Sequence, residues 1–321
     1  MGLSFSRDVN GKIISTFCFF VEGILLPNFI VRSPSYIMTN PSPSSTTNTS
    51  ASSNPSRPKV ALVLGSGGAK GIAHIGVFKV LHEAKIPIDL IVGCSMGALL
   101  GAFYAEGHPP EYILERSLKL IPRKSKLLGL PSPWRGLMGK GFFTTNRMYK
   151  TLSEELTSRT FEELKIPLQV VATDLEEGKL TTFSTGRLLE PLCASSAIPG
   201  LFQPVKIGDQ LYVDGAVISE LPIQVAKKSG GQLIIASNVK GWIDIKAKGK
   251  IGNVGMRSYY IMRHHFDKIT EAHADVVIRP DLTGVMNAIF SNKKVIQEVY
   301  RRGKECTEKQ LPTIQALLGN G

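Results

Sequence analysis

A serine set between two glycines is the residue of this chain whose placement most directly suggests chemistry. The stretch Gly93-Cys94-Ser95-Met96-Gly97 follows the run Ile88–Val92 and precedes the small-residue helical pattern Ala98–Phe103. A G-x-S-x-G sequence at a strand-to-helix junction makes a sharp turn that lifts the hydroxyl above the sheet. Small neighbours are needed because the backbone folds closely past itself there. A plainer reading spends the same hydroxyl on capping the helix. If Ser95 is a nucleophile, it needs a base. Asp214 is one candidate: it closes the run Leu211-Tyr212-Val213 and precedes two small residues, Gly215 and Ala216. Asp-Gly is also a common turn pair, so the triplet alone is weak. His264, His265 and His273 would suit a triad order, but they fall on or near the polar side of an amphipathic pattern and read as solvated.

A third stretch, Gly65-Ser66-Gly67-Gly68-Ala69-Lys70-Gly71, joins a strand pattern to a helix pattern. Its backbone amides and the helix dipole would favour a phosphate or a developing oxyanion. The strict dinucleotide pattern fails because Lys70 stands where its last glycine belongs, and no G-K-[ST] follows for a nucleotide P-loop.

Strands are expected at Val60–Leu64, Ile88–Val92, Ile166–Leu175 and Gln232–Ser237, each a short apolar run. Leu180–Thr185 is expected to pair with the third, and Phe202–Val217 to form two strands turning at Gly208-Asp209. Helical spacing covers Ile72–Ala84, Met96–Glu106, Arg187–Ser196 and Pro222–Ser229. Such alternation predicts an α/β fold, a three-layer α/β/α sandwich with a mainly parallel central sheet. Sites in such sheets form at the carboxyl ends of strands, where all three stretches fall. After Lys240 the chain reads as a helical cover, with Ala274–Leu282 holding a last strand.

Together, Gly65–Gly71, Gly93–Gly97, Asp214-Gly215-Ala216 and the stretch Ala194–Val205 resemble the patatin-like phospholipase family, over about Val60–Lys227. The likeness is to its bacterial stand-alone members. Ser66 stands where many members have glycine, and Lys70 where arginine is usual. The resemblance implies a lipid-ester hydrolase with a Ser95–Asp214 dyad, and an oxyanion hole built from the amides of Gly67, Gly68 and Met96. Gly65, Lys70, Gly71, Gly93, Gly97, Gly215 and Ala216 would support those groups. Because an aspartate is a weak base for a hydroxyl, direct contact between Asp214 and Ser95 is expected.

The chain has 321 residues, 43% of them hydrophobic, and a formal net charge of +12. That charge favours an acidic partner, and without zinc-finger or RNA-binding signatures an anionic membrane surface fits better than nucleic acid. Cys18, Cys94, Cys193 and Cys306 lie far apart, so neither a disulfide framework nor a metal site is expected, and no cofactor is called for. Residues 1–40 form an apolar leader that reads as an anchor, a signal, or an over-extended start with Met38 as the true one. Residues 41–58 form a Ser/Thr/Pro linker, and 59–321 the catalytic domain. A cytoplasmic or peripheral-membrane location follows. Arg116–Lys150 carries nine basic residues and no acidic ones, interleaved with Leu, Trp and Phe. It is expected to be a flap that borders the site and docks on anionic lipid. Two other readings remain open: a nucleotide-binding oxidoreductase that uses Gly65–Gly71, with Glu83 the nearest acidic residue for a ribose, and a catalytically silent member of the fold.

Overall fold

A computed structural model describes residues 57–120, 144–239, 268–285 and 293–319, with short stretches at 3–7 and 13–17 and isolated helical positions between 254 and 266. Strands β1 (Leu3–Arg7) and β2 (Ile13–Phe17) pair antiparallel and belong to a unit separate from the rest of the chain. The remainder of the expected leader, the linker up to residue 56 and the middle of the basic segment, 121–143, lie outside the described residues. Among the described residues no helix is long and apolar enough to cross a membrane.

The main unit is built on an eight-stranded sheet. Strands β3 (Val60–Leu64), β4 (Leu90–Cys94) and β9 (Leu233–Ser237) are buried at every position, as parallel strands covered on both faces must be. They run parallel in the order β10 (Val276–Ile278), β9, β3, β4, β5 (Leu168–Asp174). Three antiparallel strands complete the sheet: β6 (Leu180–Phe183) and β8 (Gln210–Asp214) on β5, and β7 (Val205–Ile207) on β8. Alternation along β3 splits the core. Val60, Leu62 and Leu64 pack on one face, with Ile75 and Phe78 of α1 (Ala73–Glu83), Ala102 of α2 (Met96–Glu106) and Val299 of α7 (Lys293–Gly319). Ala61 and Val63 face the other way, against Ile223 and Ala226 of α6 (Ile223–Lys228). The result is the three-layer α/β/α arrangement. The C-terminal helix lies against α1 so closely that a Cβ on Gly303 would stand 2.2 Å from the Ala73 carbonyl oxygen.

The two ends of the basic segment are helical. Arg116 and Lys119 lie on α3 (Pro110–Leu120), and Arg147 and Lys150 on α4 (Asn146–Glu155). The three prolines, Pro122, Pro131 and Pro133, all fall between the helices. Arg116 is held by Glu155 through Nε at 2.5 Å and through Nη2, and Lys119 pairs with Glu115, so these two cations already have acidic partners.

Candidate active site

Strand register explains why two residues 119 positions apart meet. Val170 of β5 pairs with Gly93 of β4 and with Phe183 of β6, while Ala172 pairs with Thr181 of β6 and with Asp214 of β8. A strand residue has one neighbour on each edge, so β4 and β8 share the edge of β5 opposite β6. They run toward each other along it: β4 ends with Cys94 opposite Val171, and β8 ends with Asp214 opposite Ala172. The chain leaving β4 at Ser95 therefore arrives at the end of β8. Ser95 Oγ–H donates to Asp214 Oδ2 at 2.8 Å, and both side chains are buried.

The turn at Ser95 is held open by strain and close packing. Its backbone adopts φ 53°, ψ −122°, a region costly for any residue with a Cβ. The Ser95 amide donates to Ser195 Oγ at 2.8 Å, a serine at the end of α5 (Leu189–Ser195). The Ser95 side chain makes no cap bond to α2, so the capping reading fails and the hydroxyl goes to Asp214 instead. A Cβ on Gly97 would lie 2.3 Å from the Leu64 carbonyl oxygen, and one on Gly93 would lie 2.5 Å from Ala98 Cα. These two glycines are demanded by the close passage of the elbow past β3 and past its own helix.

Asp214 is fixed from several sides. Oδ1 accepts from the Ala216 amide at 2.9 Å, with Cys94 Sγ 3.8 Å away. The Asp214 amide donates to the Ala197 carbonyl at 3.0 Å, and Thr173 Oγ1 donates to the Asp214 carbonyl at 3.1 Å. Gly215 lets the turn press onto β5, where a Cβ would come within 2.4 Å of the Val171 carbonyl oxygen.

The glycine-rich loop lies beside the elbow. A Cβ on Gly71 would be 2.3 Å from Met96 Cγ, which places the loop against the start of α2. Gly68 opens a short 3-10 turn with φ +52°, a conformation suited to glycine. The Gly65 amide donates to the Ser237 carbonyl at 3.1 Å, the Ser66 amide to the Glu220 carbonyl at 3.0 Å, and the Lys70 amide to the Gly67 carbonyl at 3.0 Å. Among the described residues, no hydrogen-bond acceptor meets the Gly67 or Gly68 amide. Lys70 itself is buried.

His74, on α1, anchors the root of this loop. It is fully buried, and burial pushes its imidazole down to about 4, so the ring is neutral near pH 7. A carbonyl can only accept, so Nε2–H donates to the Gly65 carbonyl at 2.8 Å, and Nδ1 accepts from Ser237 Oγ at 2.9 Å.

All the site residues expected from sequence thus gather at the carboxyl ends of β3, β4 and β8. Sequence reasoning missed the parts played by Ser195, His74, Ser237 and Glu220. His74 left one signal, a lone polar residue inside the apolar pattern Ile72–Phe78; the others left none. His265 and His273 are exposed. Glu83, the acidic residue a ribose would need, sits in the last turn of α1 and pairs with Lys79 at 2.9 Å. No group of three or more potential metal ligands occurs among the described residues.

Comparison with known proteins bears on the same segment. The family model described as Patatin-like phospholipase matches residues 62–227. An NTE family protein of Mycobacterium bovis is 35% identical over 186 residues, covering 58% of this chain and 50% of the relative. Patatin-like phospholipase domain-containing protein 6 of Homo sapiens is 32% identical over 187 residues, covering 56% of this chain and 13% of the relative. The chain therefore spans about half the length of the mycobacterial relative and a small part of the human one. Among solved structures, VipD from Legionella pneumophila gives a TM-score of 0.49 at 14% identity, covering 97% of this chain and 70% of that one.

Proposed function

The chain belongs to the patatin-like phospholipase family, and we propose that it is a serine acyl hydrolase that cleaves carboxylic ester bonds of membrane lipids. The observation that carries this reading is the 2.8 Å hydrogen bond from Ser95 Oγ to Asp214 Oδ2.

In the proposed reaction Ser95 Oγ attacks the ester carbonyl carbon as its proton passes to Asp214. The direct bond lets attack and proton transfer proceed together, which a weak base requires. Negative charge then develops on the carbonyl oxygen. The Gly67, Gly68 and Met96 amides are the donors for it, at the end of a loop and at the N-terminus of α2, and each such donor contributes about 3 kcal/mol to the transition state. As the tetrahedral intermediate collapses, the carbon–oxygen bond to the alcohol breaks and Asp214 returns the proton to that alcohol. Water repeats the sequence on the acyl-enzyme: Asp214 takes its proton, the carboxylic acid leaves, and Ser95 recovers its hydrogen.

A lipid partner is supported by exposed apolar residues beside the base. Val217 and Ile218, three and four positions past Asp214, are 36% and 44% exposed. The net charge of +12 adds a reason for an anionic membrane surface as the second partner.

Labelling with a fluorophosphonate probe, comparing the native protein with Ser95→Ala, tests the nucleophile. A panel of phospholipid, lysophospholipid and neutral lipid esters then tests the substrate class. Equal labelling of the two proteins, or labelling with no turnover of any lipid ester, overturns the reading. Binding to neutral and anionic vesicles that is equal and indifferent to salt would remove the anionic surface from it.

A further inference from the structure

We propose that Ser66 and Glu220 are positioning residues, a two-point latch that ties the glycine-rich loop to the turn carrying Asp214; this rests on the hydrolase reading above. Ser66 donates twice to Glu220: its amide to the Glu220 carbonyl at 3.0 Å, and its Oγ–H to Oε1 at 2.7 Å. Both residues are buried, Ser66 to 7% exposure and Glu220 to 6%. A buried carboxylate is costly, and leaving one short of a donor costs more than a neutral hydrogen bond returns. An apolar pair of similar volume would serve packing alone at no such cost.

What the latch joins gives it a use. On one side, Ser66 directly precedes Gly67 and Gly68, the two loop glycines proposed as oxyanion donors. On the other, Glu220 ends a short rigid turn that starts at Asp214. Within that turn the Asp214 carboxylate accepts from the Ala216 amide at 2.9 Å, and the Gly215 carbonyl accepts from the Ile218 amide at 3.1 Å and the Ser219 amide at 2.9 Å. Asp214 in turn holds Ser95. The elbow closes the ring, because Gly97 packs against the carbonyls of Leu64 and Gly65 at distances that exclude a Cβ. Nucleophile, base and oxyanion loop are thus linked in a closed circuit, in which the Ser66–Glu220 pair ties the base turn to the loop. Loosening it lets Gly67 and Gly68 shift relative to Ser95 Oγ. Catalysis is sensitive to such shifts, and ground-state binding is not.

The test compares native protein with Ser66→Ala, Glu220→Ala, the double variant Ser66→Ala/Glu220→Ala, and Glu220→Gln. Each is titrated with a fluorophosphonate so that rates refer to folded, active sites. Kinetics on a soluble short-chain ester, and the carbonyl stretching band of the acyl-enzyme, are the readouts. Ser66→Ala is expected to lower kcat by about tenfold with KM within about twofold, and to move the carbonyl band to higher frequency as the donors loosen. Glu220→Ala should match it, and the double variant should be no slower than the slower single one. Glu220→Gln keeps an acceptor oxygen for Ser66 and should stay within about threefold of native. Variants with native kcat and an unmoved band, whatever their thermal stability, overturn the latch. So do additive losses in the double variant, or Glu220→Gln behaving like Glu220→Ala. A native protein that neither labels nor turns over ester overturns the hydrolase reading and this proposal with it; a native protein that does both leaves only the latch at stake.

Discussion

Replacing His74 with glutamine should remove about 2 kcal/mol of acid sensitivity from the folded chain above about pH 5. In the unfolded chain His74 takes up its proton near the ordinary histidine value of 6.5, whereas burial in the fold pushes it down to about 4. Between those values the unfolded state binds a proton that the folded state refuses, so stability falls as pH falls. The full effect is the gap from 6.5 to about 4, worth about 3 kcal/mol at about 1.4 kcal/mol per tenfold change. It is absent above the unfolded value and complete below the folded one. About 2 kcal/mol of it is lost between about pH 7.5 and about pH 5. Two partnered carboxylates contribute outside this interval. Asp89 is held below its ordinary 3.8, first by its hydrogen bond to Arg57. Burial pushes Glu106 up, but hydrogen bonds from Ser158, Thr157 and His108 outweigh it and hold the group below 4.5. Both contributions are fully present above those ordinary values and are lost only below them. Glutamine does not titrate and can still donate to the Gly65 carbonyl. Urea unfolding followed by circular dichroism at several pH values would measure the difference. The native protein should lose about 2 kcal/mol more than His74→Gln across the interval. Parallel decline of the two would refute the claim that this imidazole is held neutral.

Three further outcomes follow from the site. At Ser95 the backbone sits at φ 53°, ψ −122°, so Ser95→Gly should be more stable than Ser95→Ala by about 1 kcal/mol, the reverse of the ordinary order; an alanine variant with the higher urea midpoint would show that the turn carries no such strain. Gly97→Ala would drive a Cβ to 2.3 Å from the Leu64 carbonyl oxygen and should cost about 2 kcal/mol or more; a native melting temperature would contradict the close approach. Ser95→Ala and Asp214→Asn should each lower turnover by about a thousandfold or more, with the double variant no slower than the slower single one; independent, additive losses would mean that the two do not act as a unit.

Much of the fold was legible because its signals are local. Val60–Leu64 and Leu90–Cys94 are apolar throughout and Leu233–Ser237 at all but its last residue, a pattern that suits strands covered on both faces. The bounds of α2, Met96–Glu106, were readable from the glycine-bounded serine before it and the turn at Gly107 after it. The helical ends of the basic segment were not legible, because one run of charge covers both helix and the prolines Pro122, Pro131 and Pro133, which fall only between α3 and α4.

Sequence by itself determined which residues could be reactive: a serine on a turn too tight for large neighbours, an aspartate closing a strand, and glycines able to present amides. Tertiary structure decided that they meet in one place. Ser95 meets Asp214 because two strands run head-on along a single edge of β5, and His74 is neutral because α1 is sealed under α7 and the sheet. Strand and helix patterns arise from neighbouring residues and can be read along the chain. Register across 119 positions, and the burial that sets a proton's affinity, arise from what the rest of the molecule places alongside.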